Sequence, residues 1–273
     1  MVSSWLRESS ETRRQVRKKA APVTKQAAES LAKPVALSQC YGIPNLILRS
    51  SLFGIEQRGE KRAYHKNVKM ASVDGVNIVY TGETLYQSDL DVWEHCLRLA
   101  RTGGGFGREV RFGLKEFLRA IGRKTGGKDF DWLKASLSRL QGAIVKIEDA
   151  KTKRGYRGQL LQGWKWSEDE DSHVLGINKD LASLYAVGWT EIDRDQRKAL
   201  GRNEGAKWLH AYLSTNNHSH DYTIAKLMYL CGSKQRDVRK FLYKIKKPIS
   251  LIEEITGWSL NIKNCVLRVD KHP

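Results

Sequence analysis

Cysteine is scarce in this sequence, and long hydrophobic runs are missing. The four cysteines (Cys40, Cys96, Cys231 and Cys265) are scattered, with no Cys-x-x-Cys pair and no histidine at a metal-binding spacing. This pattern indicates reduced intracellular thiols and argues against a disulfide framework or a metal site. No apolar stretch approaches the ~18–20 residues that cross a bilayer, and Met1–Trp5 lacks a hydrophobic signal core. We expect a cytoplasmic protein with no metal, no cofactor and no membrane partner.

Acidic residues are also in short supply. The chain of 273 residues has 48 Lys and Arg against 30 Asp and Glu, which gives a formal net charge of +18 and a pI of about 9.8. Such a surplus favours a polyanionic partner. An acidic lipid surface is disfavoured, because no basic amphipathic helix with bulky aromatics stands apart from the rest. The charge surplus therefore favours nucleic acid as the partner, while 40% hydrophobic residues and a mean hydropathy of −0.53 are typical of a soluble globular protein.

Residues 1–41 differ in composition from the rest of the chain. They carry eight basic and three acidic residues, with few large apolar groups. Such a segment buries too little surface to offset its ordering entropy, so we predict a basic, flexible N-terminal arm. The remainder fits two domains of ordinary size, which we place at 42–189 and 190–273, with a boundary near Gly188–Arg194.

Two turn signals begin the first domain. Asp74 and Gly75 supply the tight turn of a β-hairpin that we predict over residues 68–80. Ser88 is expected to cap a helix, and Asp91, three residues later, can complete a capping box with it. Apolar residues then recur at helical spacing.

Further helices and a second hairpin are predicted downstream. The helices cover Leu114–Ile121 and Phe130–Leu140 and are separated by a tight basic turn. Strands Ala143–Ile147 and Gln159–Trp166 follow, joined by a basic loop at 151–158. Three helices followed by such a hairpin are typical of a winged-helix domain.

Residues 190–273 repeat this order loosely. Helices are predicted over Gly205–Leu213 and Thr223–Leu230, and Ser233 is expected to cap a third helix that Pro248 kinks or ends. A closing hairpin spans Trp258–Val269. The predicted fold class is therefore α+β, with two winged-helix domains in tandem behind the basic arm.

Four short segments carry a resemblance to a known family. They are Arg49–Phe53, Tyr80–Gly82, Leu137–Gln141 and Leu230–Ser233, and their order and spacing resemble those of TrfA-type plasmid replication initiators over roughly residues 44–270. The resemblance implies tandem winged helices that bind direct repeats (iterons) in a plasmid origin as double-stranded DNA. It also implies opening of adjacent AT-rich DNA in a bacterial cytoplasm and recruitment of a host initiator and the replicative helicase. The clamp-binding motif of the family's best-known member has no clean match here.

The third helix of the second domain is expected to read base sequence. Val238, Leu242 and Ile245 form its apolar stripe, so basic and aromatic side chains occupy the opposite face. Its N-terminal end is where helix-turn-helix proteins contact base edges. The candidate residues are Arg236, Arg239, Lys240 and Tyr243 on the face, with Lys234 and Gln235 at the end. Arg can contact guanine O6 and N7 together, and Gln can do the same for adenine N6 and N7.

The first domain supplies a second group of candidate DNA contacts. Its third helix presents Lys128, Lys134 and Ser138 off the apolar stripe. Its basic loop is the predicted wing, whose charges suit phosphates while a tyrosine ring lies along a sugar. The wing residues are Lys151, Lys153, Arg154, Tyr156 and Arg157. Tryptophans such as Trp164 and Trp166 are instead expected in the core or at a domain interface.

Two other functions stay open at this point. A sequence-specific transcriptional repressor would use the same surfaces, and initiators of this type often repress their own promoters, which links them to plasmid copy control. A rolling-circle nickase would use His218 and His220 with Tyr222, although the polar residues around the histidines favour a loop. No residue order supports a catalytic triad, so we expect a DNA-binding protein that is not an enzyme. A homodimer is one arrangement open to it.

Overall fold

The structure, a computed structural model, describes residues 42–55, 61–149, 155–167, 172–216 and 218–271. The predicted N-terminal arm lies outside these residues. The helices of the described part are α1 (Asn45–Leu48), α2 (Gln87–Thr102), α3 (Leu114–Ala120), α4 (Gly127–Gly142), α5 (Arg194–Ala199), α6 (Glu204–Ser214), α7 (Ile224–Leu230) and α8 (Val238–Thr256), and a 3₁₀ helix covers Lys179–Val187.

The strands of the described part form three larger antiparallel sheets and two short pairs. They are β1 (Ile43–Pro44), β2 (Phe53–Gly54), β3 (Tyr64–Met70), β4 (Val76–Glu83), β5 (Leu85–Tyr86), β6 (Glu109–Phe112), β7 (Ile144–Asp149), β8 (Gly155–Gln159), β9 (Gly163–Ser167), β10 (Ser172–Gly176), β11 (Trp189–Thr190), β12 (His220–Thr223), β13 (Ser259–Lys263) and β14 (Val266–Asp270). The sheet orders are β3-β4-β7-β8, β6-β10-β9 and β12-β14-β13, with β1 paired to β11 and β2 to β5. The fold mixes helices and strands, as predicted.

Helix α2 lies at the centre of the first hydrophobic core. Its predicted apolar stripe is buried, and Trp93 at its middle is fully enclosed. The predicted cap is wrong, because the helix begins at Gln87 and Ser88 lies inside its first turn. The carboxylate of Asp89 reaches back three residues and accepts a hydrogen bond of 3.0 Å from the backbone N–H of Tyr86, which satisfies a donor at the helix start.

The hairpin predicted as the first wing belongs to a different sheet. Strands β7 and β8 pair with each other, but β7 also pairs with β4 of the first hairpin, which yields the four-stranded sheet. The predicted boundaries are also wrong: β8 occupies residues 155–159, most of which were expected in the basic loop, and of the strand predicted over 159–166 only β9 from Gly163 onwards forms. Leu160 and Leu161 are both buried between them, and two consecutive buried residues break the alternation that a continuous strand requires.

Helix α8 differs from its prediction at its start, and of the two outcomes predicted at Pro248 the structure does not show an end. Its N-cap is Asp237 and not Ser233, because the Asp237 carboxylate accepts the backbone N–H of Arg239 at 2.8 Å. The helix continues through Pro248 to Thr256 without ending at the proline. A β-carbon at Gly205 of α6 would lie 3.3 Å from Pro248 Cγ, so the bare glycine lets the buried proline ring pack closely against α6. We infer that this packing offsets the backbone hydrogen bond that proline cannot make.

One arrangement of elements occurs twice. In the first half, α2, β6, α3 and α4 are followed by the inserted strands β7 and β8 and then by the hairpin β9-β10, and the sheet order is β6-β10-β9. In the second half, α6, β12, α7 and α8 are followed by the hairpin β13-β14, and the sheet order is β12-β14-β13. The sequence prediction missed β6 and β12, since strands of four residues carry little periodicity.

Two hydrophobic clusters match these two halves. The first contains buried residues from Ile43 to Ile192 together with Ala211, and the second runs from Leu200 to Val269. All described residues nevertheless belong to one compact unit. The domain boundary near Gly188–Arg194 stays a prediction. Within the described ranges, every helix is too short or too polar to cross a bilayer.

Candidate nucleic-acid interface

Helix α8 presents a continuous cationic face to solvent. Its buried side consists of Phe241, Ile245, Pro248, Ile249 and Ile252. The exposed residues on the opposite side are Arg239, Lys240, Tyr243, Lys244, Lys246 and Lys247, and the Tyr243 ring is 80% exposed. The phase of this helix agrees with the apolar stripe predicted from the sequence, to which the structure adds the buried Phe241. The available signal was its spacing, since Phe241 lies three residues after Val238 and four before Ile245.

Three of the predicted reading residues are not on the helix. Lys234, Gln235 and Arg236 precede its first residue, in a segment where Ser233 accepts the backbone N–H of Gln235 at 3.2 Å. The predicted spacing of Arg236 with the helical residues is therefore wrong. The physical reason is the cap, since the extended backbone of Asp237 interrupts helical geometry before Val238.

Helix α4 offers a smoother surface. Lys128 and Ser138 are exposed and Lys134 is partly exposed, at positions where we expected DNA contacts. Ala135 between them and Gly142 beyond them leave little side chain above the backbone on the exposed side, where Asp131 is an exposed carboxylate. A helix with short side chains on its free face can approach a groove closely.

Arg139 of the same helix serves an internal ion pair. Its Nη2 donates to Asp89 Oδ1 at 2.8 Å, and Ser136 Oγ donates to the same oxygen at 2.7 Å. Arg62 Nη1 donates to the other carboxylate oxygen at 2.7 Å. The Asp89 side chain is fully buried, so two arginines and a hydroxyl compensate its lost hydration. This network fixes α4 against the start of α2.

The residues of the predicted first wing separate into three groups. Lys151, Lys153 and Arg154 lie outside the described residues. Arg157 is exposed on β8. Tyr156 is only 4% exposed and its hydroxyl donates to the Gln159 carbonyl at 2.7 Å, so the predicted contact with a sugar is wrong.

Burial of Tyr156 follows from the pairing of its strand. It lies opposite Ile147, on the face of the sheet that packs into the first core. This burial raises the pKa of the tyrosine to about 12.

The hairpin β9-β10 holds residues that the sequence analysis did not select. Trp166 is 57% exposed, which corrects its expected place in the core. Trp164 is buried, and the centroids of the two indole rings lie 4.8 Å apart. Lys165 between them is exposed and pairs with Glu109 at 2.5 Å. The available signal was the alternation of Trp, Lys and Trp before the acidic run at residues 168–171, which marks a strand followed by a turn.

Two of the candidate nickase residues come together, since the rings of His220 and Tyr222 lie 5.0 Å apart by centroids. His218 and His220 are exposed, and His220 begins β12 in place of the predicted loop. Tyr222 is 6% exposed in the second core, where Asn216 Nδ2 donates to its hydroxyl at 2.7 Å. Burial raises the pKa of Tyr222, which disfavours the phenolate that a nucleophile needs.

The N-terminal described segment contacts the second core. Arg49 donates from Nε to Thr215 Oγ1 and from Nη2 to the Thr215 carbonyl, both at 2.8 Å, at the C-terminal end of α6. The backbone N–H of Ile55 donates to the Cys231 carbonyl at 3.2 Å. A β-carbon at Gly232, where φ is +70°, would lie 3.2 Å from Ser51 Cβ. Two segments that carried the family resemblance therefore meet in space.

The first turn of α2 forms a second link to α6. Glu204 accepts the backbone N–H groups of Gln87 at 2.7 Å and Ser88 at 3.1 Å. Lys207 Nζ donates to Asp91 Oδ2 at 2.5 Å. Residues that precede residue 100 thus contact both ends of α6. These contacts orient the elements around α8 relative to those around α4.

The described structure thus combines a cationic face on α8 with a helix-and-hairpin arrangement that occurs twice. Two solved structures share this fold. The first is a crystal structure of RctB domains 2 and 3 as selenomethionine derivatives, with a TM-score of 0.58 and 10% sequence identity. The match covers 84% of this chain and 98% of the RctB chain. The second is a crystal structure of RctB domains 2-3 (RctB 155–483), with a TM-score of 0.51 and 12% sequence identity. The match covers 82% of this chain and 95% of the RctB chain. None of the curated proteins matches this chain.

The family model described as TrfA protein matches residues 14–259. The chain therefore belongs to the TrfA family of plasmid replication initiators, which agrees with the resemblance drawn from its sequence.

Proposed function

We propose that this protein binds direct repeats in a plasmid origin as double-stranded DNA, with α8 as the principal reading helix. The observation that carries the proposal is the exposed face of α8. It presents five basic side chains and Tyr243, and no acidic residue occurs between Val238 and Ile252. Surface helices that serve only solubility commonly intersperse glutamates among lysines. A face with one sign of charge is suited to the phosphates that flank a groove.

Each half of the described chain would act as a winged helix. The repeated order of helices, strand and hairpin, with the same strand order in both sheets, supports this assignment. In this proposal, α4 and α8 are the two recognition helices and the hairpins β9-β10 and β13-β14 are the wings. Lys165 and Trp166 then replace Lys153 and Arg154 as wing contacts of the first half. Lys263, exposed at the end of β13, is the corresponding cation in the second half.

Reading two successive grooves requires a fixed distance between the recognition helices. The contacts of α6 with Arg49 at one end and with the start of α2 at the other supply such a constraint. Membership of the TrfA family supports the further proposal that binding opens adjacent AT-rich DNA and recruits the host initiator and replicative helicase.

The protein would act without enzymatic chemistry. Although His220 lies against Tyr222, the burial of the tyrosine raises its pKa and gives no support to the nickase alternative. A transcriptional repressor would use the same DNA-binding surfaces, so the two binding functions differ in the arrangement of their sites. Regular repeats beside an AT-rich tract would indicate an initiator, whereas a single operator at a promoter would indicate a repressor.

A footprint of the full-length protein across its cognate plasmid tests the proposal. We expect regularly spaced protected segments next to an AT-rich tract, and protection that disappears when the repeat sequence is scrambled. Protection with no preference for the repeats would contradict sequence-specific binding. A parallel incubation with supercoiled origin DNA and Mg²⁺ or Mn²⁺ should leave the DNA supercoiled, and relaxed product would restore the nickase alternative.

A further inference from the structure

The four-stranded sheet carries a row of cations on its outward face. The pairing register places Lys69 of β3 opposite Val79 of β4, Val79 opposite Lys146 of β7, and Lys146 opposite Arg157 of β8. Directly paired residues point to the same face of a sheet, so this row crosses all four strands on one side.

The other face of the sheet is the one that packs into the protein. The next row along the strands contains Ile78, Ile147 and Tyr156, which are buried in the first core. Lys69 and Arg157 are exposed. The cationic row therefore faces solvent.

One acidic residue accompanies the row. The Lys146 side chain is 52% exposed and its Nζ lies 2.5 Å from Glu148 Oε2, two residues along the same strand. The remaining two cations leave the row with a net positive charge.

Protection of the sheet edge does not account for the whole row. Charged side chains on edge strands block unwanted pairing with another chain, and this function would explain Lys69 on β3 and Arg157 on β8, the two edges of the sheet. It does not explain Lys146, because β7 is an inner strand with partners on both sides. Strands lie ~4.8 Å apart, so the row extends over about 14 Å. Duplex DNA presents a phosphate charge about every 1.7 Å of its axis, or about eight charges over that length.

We propose that this row, Lys69, Lys146 and Arg157, is a sequence-independent contact for the phosphate backbone of duplex DNA that flanks the repeat read by α4 and α8. The inference rests on the proposed function, because a flanking contact requires a bound repeat. The hairpin β7-β8 thus contacts DNA through the face of its sheet and not as a wing.

The aromatic content of the sheet favours duplex over single-stranded DNA. Of the three tyrosines on its strands, Tyr80 and Tyr156 are buried and Tyr64 is exposed. Surfaces that bind single strands stack successive bases on several aromatic rings, and this sheet offers one.

The test compares charge reversal in the row with the same charge change elsewhere on the full-length protein. The test variant is Lys69→Glu with Arg157→Glu, and the matched control is Lys179→Glu with Arg202→Glu, at exposed positions outside the sheet. Each is titrated with two duplexes: one repeat alone, and the same repeat between random flanks of about 20 base pairs. Circular dichroism checks that each variant is folded, and a Lys69→Gln, Arg157→Gln variant provides a milder change if charge reversal disturbs the sheet.

On the flanked duplex, we expect the test variant to bind at least about tenfold more weakly than the control. The slope of log K against log salt should fall in magnitude by about two, one unit for each lost phosphate contact. On the isolated repeat, test and control variants should agree within about twofold. Equal binding of the two variants to the flanked duplex would overturn the proposal, and so would an equal loss on both duplexes.

The proposed function has a separate readout in this experiment. The unaltered protein should prefer the flanked repeat over a flanked scrambled sequence, whether or not the cationic row contacts the flanking DNA. A lost preference there would contradict repeat binding, whereas a preserved preference with no effect of the row would contradict this inference alone.

Discussion

Arg197 Nε donates to Asp91 Oδ1 at 2.6 Å and joins α5 to α2 across the boundary between the two cores. The arginine side chain is 7% exposed and the aspartate side chain is 14% exposed. The same guanidinium donates from Nη2 to the backbone carbonyl of Gln87 at 3.2 Å and to its side-chain oxygen at 3.1 Å. One side chain thus holds the start of α2 to the elements that follow residue 193.

Replacing Arg197 by Ala should destabilise the protein. Asp91 would remain in a mostly buried site with Lys207 as its cation, and breaking a buried ion pair costs about 3 kcal/mol in the free energy of unfolding. Urea unfolding of the full-length protein measures the change. The exposed Arg202→Ala variant is the control, and we expect it to change the free energy by less than about 0.5 kcal/mol. Similar values for the two variants would mean that Arg197 does not join the halves.

Replacing Arg239 by Ala should reduce discrimination between repeats and other DNA. Arg239 is exposed in the first turn of α8, at the end of the helix that enters a major groove in helix-turn-helix proteins. Loss of a bidentate guanine contact would cost about 1–3 kcal/mol on the cognate repeat and little on scrambled DNA. Titrations on both duplexes measure this, with Lys179→Ala as an exposed control. Equal weakening on both sequences would assign Arg239 to a phosphate.

Repeat binding by the unaltered protein should depend steeply on salt. With about six phosphate contacts from two recognition helices and their wings, the slope of log K against log salt should be on the order of −5. Equilibrium titrations of a single-repeat duplex at several salt concentrations give this slope. A value near −1 would exclude a footprint that engages both halves.

Acidification should weaken the fold through a buried histidine. His210 is fully buried, stacks on Trp258 with 5.5 Å between ring centroids, and has its Nε2 3.0 Å from Gln196 Oε1. Burial and then the positive charge of Arg197 lower its pKa from 6.5 to about 4. Between these values the unfolded chain binds a proton that the folded chain excludes. The stabilisation is therefore complete above about pH 6.5 and is lost as the pH falls towards 4, at up to about 1.4 kcal/mol per pKa unit.

Denaturant unfolding at a series of pH values tests this contribution. The His210→Gln variant removes the titrating group, so its free energy of unfolding should fall less steeply between pH 6.5 and pH 4 than that of the unaltered protein. His218→Gln, at an exposed position, is the matched control for the loss of a histidine. His95 is also buried with its pKa lowered to about 4, so part of the slope should survive in the His210 variant. Identical slopes in all three proteins would contradict the assignment to His210.

Helix phases were predictable because burial along a helix repeats every 3.6 residues. The stripe of α2 and the exposed side of α8 both follow from that period. Helix ends were less predictable, since each depends on which nearby side chain captures the free backbone N–H groups. Ser88 and Ser233 are residue types that often cap helices, but carboxylates at Asp89 and Asp237 make the capping bonds.

The candidate site was predictable only where it lies on one regular element. Arg239, Lys240 and Tyr243 are exposed because the helix that carries them buries its other side. Tyr156 could not be placed in this way. Its burial depends on the pairing of β8 with β7 and of β7 with β4, and β4 precedes β8 by more than 70 residues.

The sequence by itself determined the net charge of +18, the apolar stripes of the helices and the segments that identify the family. These are properties of composition or of residues close together in the chain. Only the tertiary structure decided that β9-β10, and not β7-β8, joins β6, and that Arg49 meets Thr215, 166 residues away. Such pairings are selected by the packing of whole elements into a shared core, and local spacing carries no information about which distant segment will fill the adjacent space.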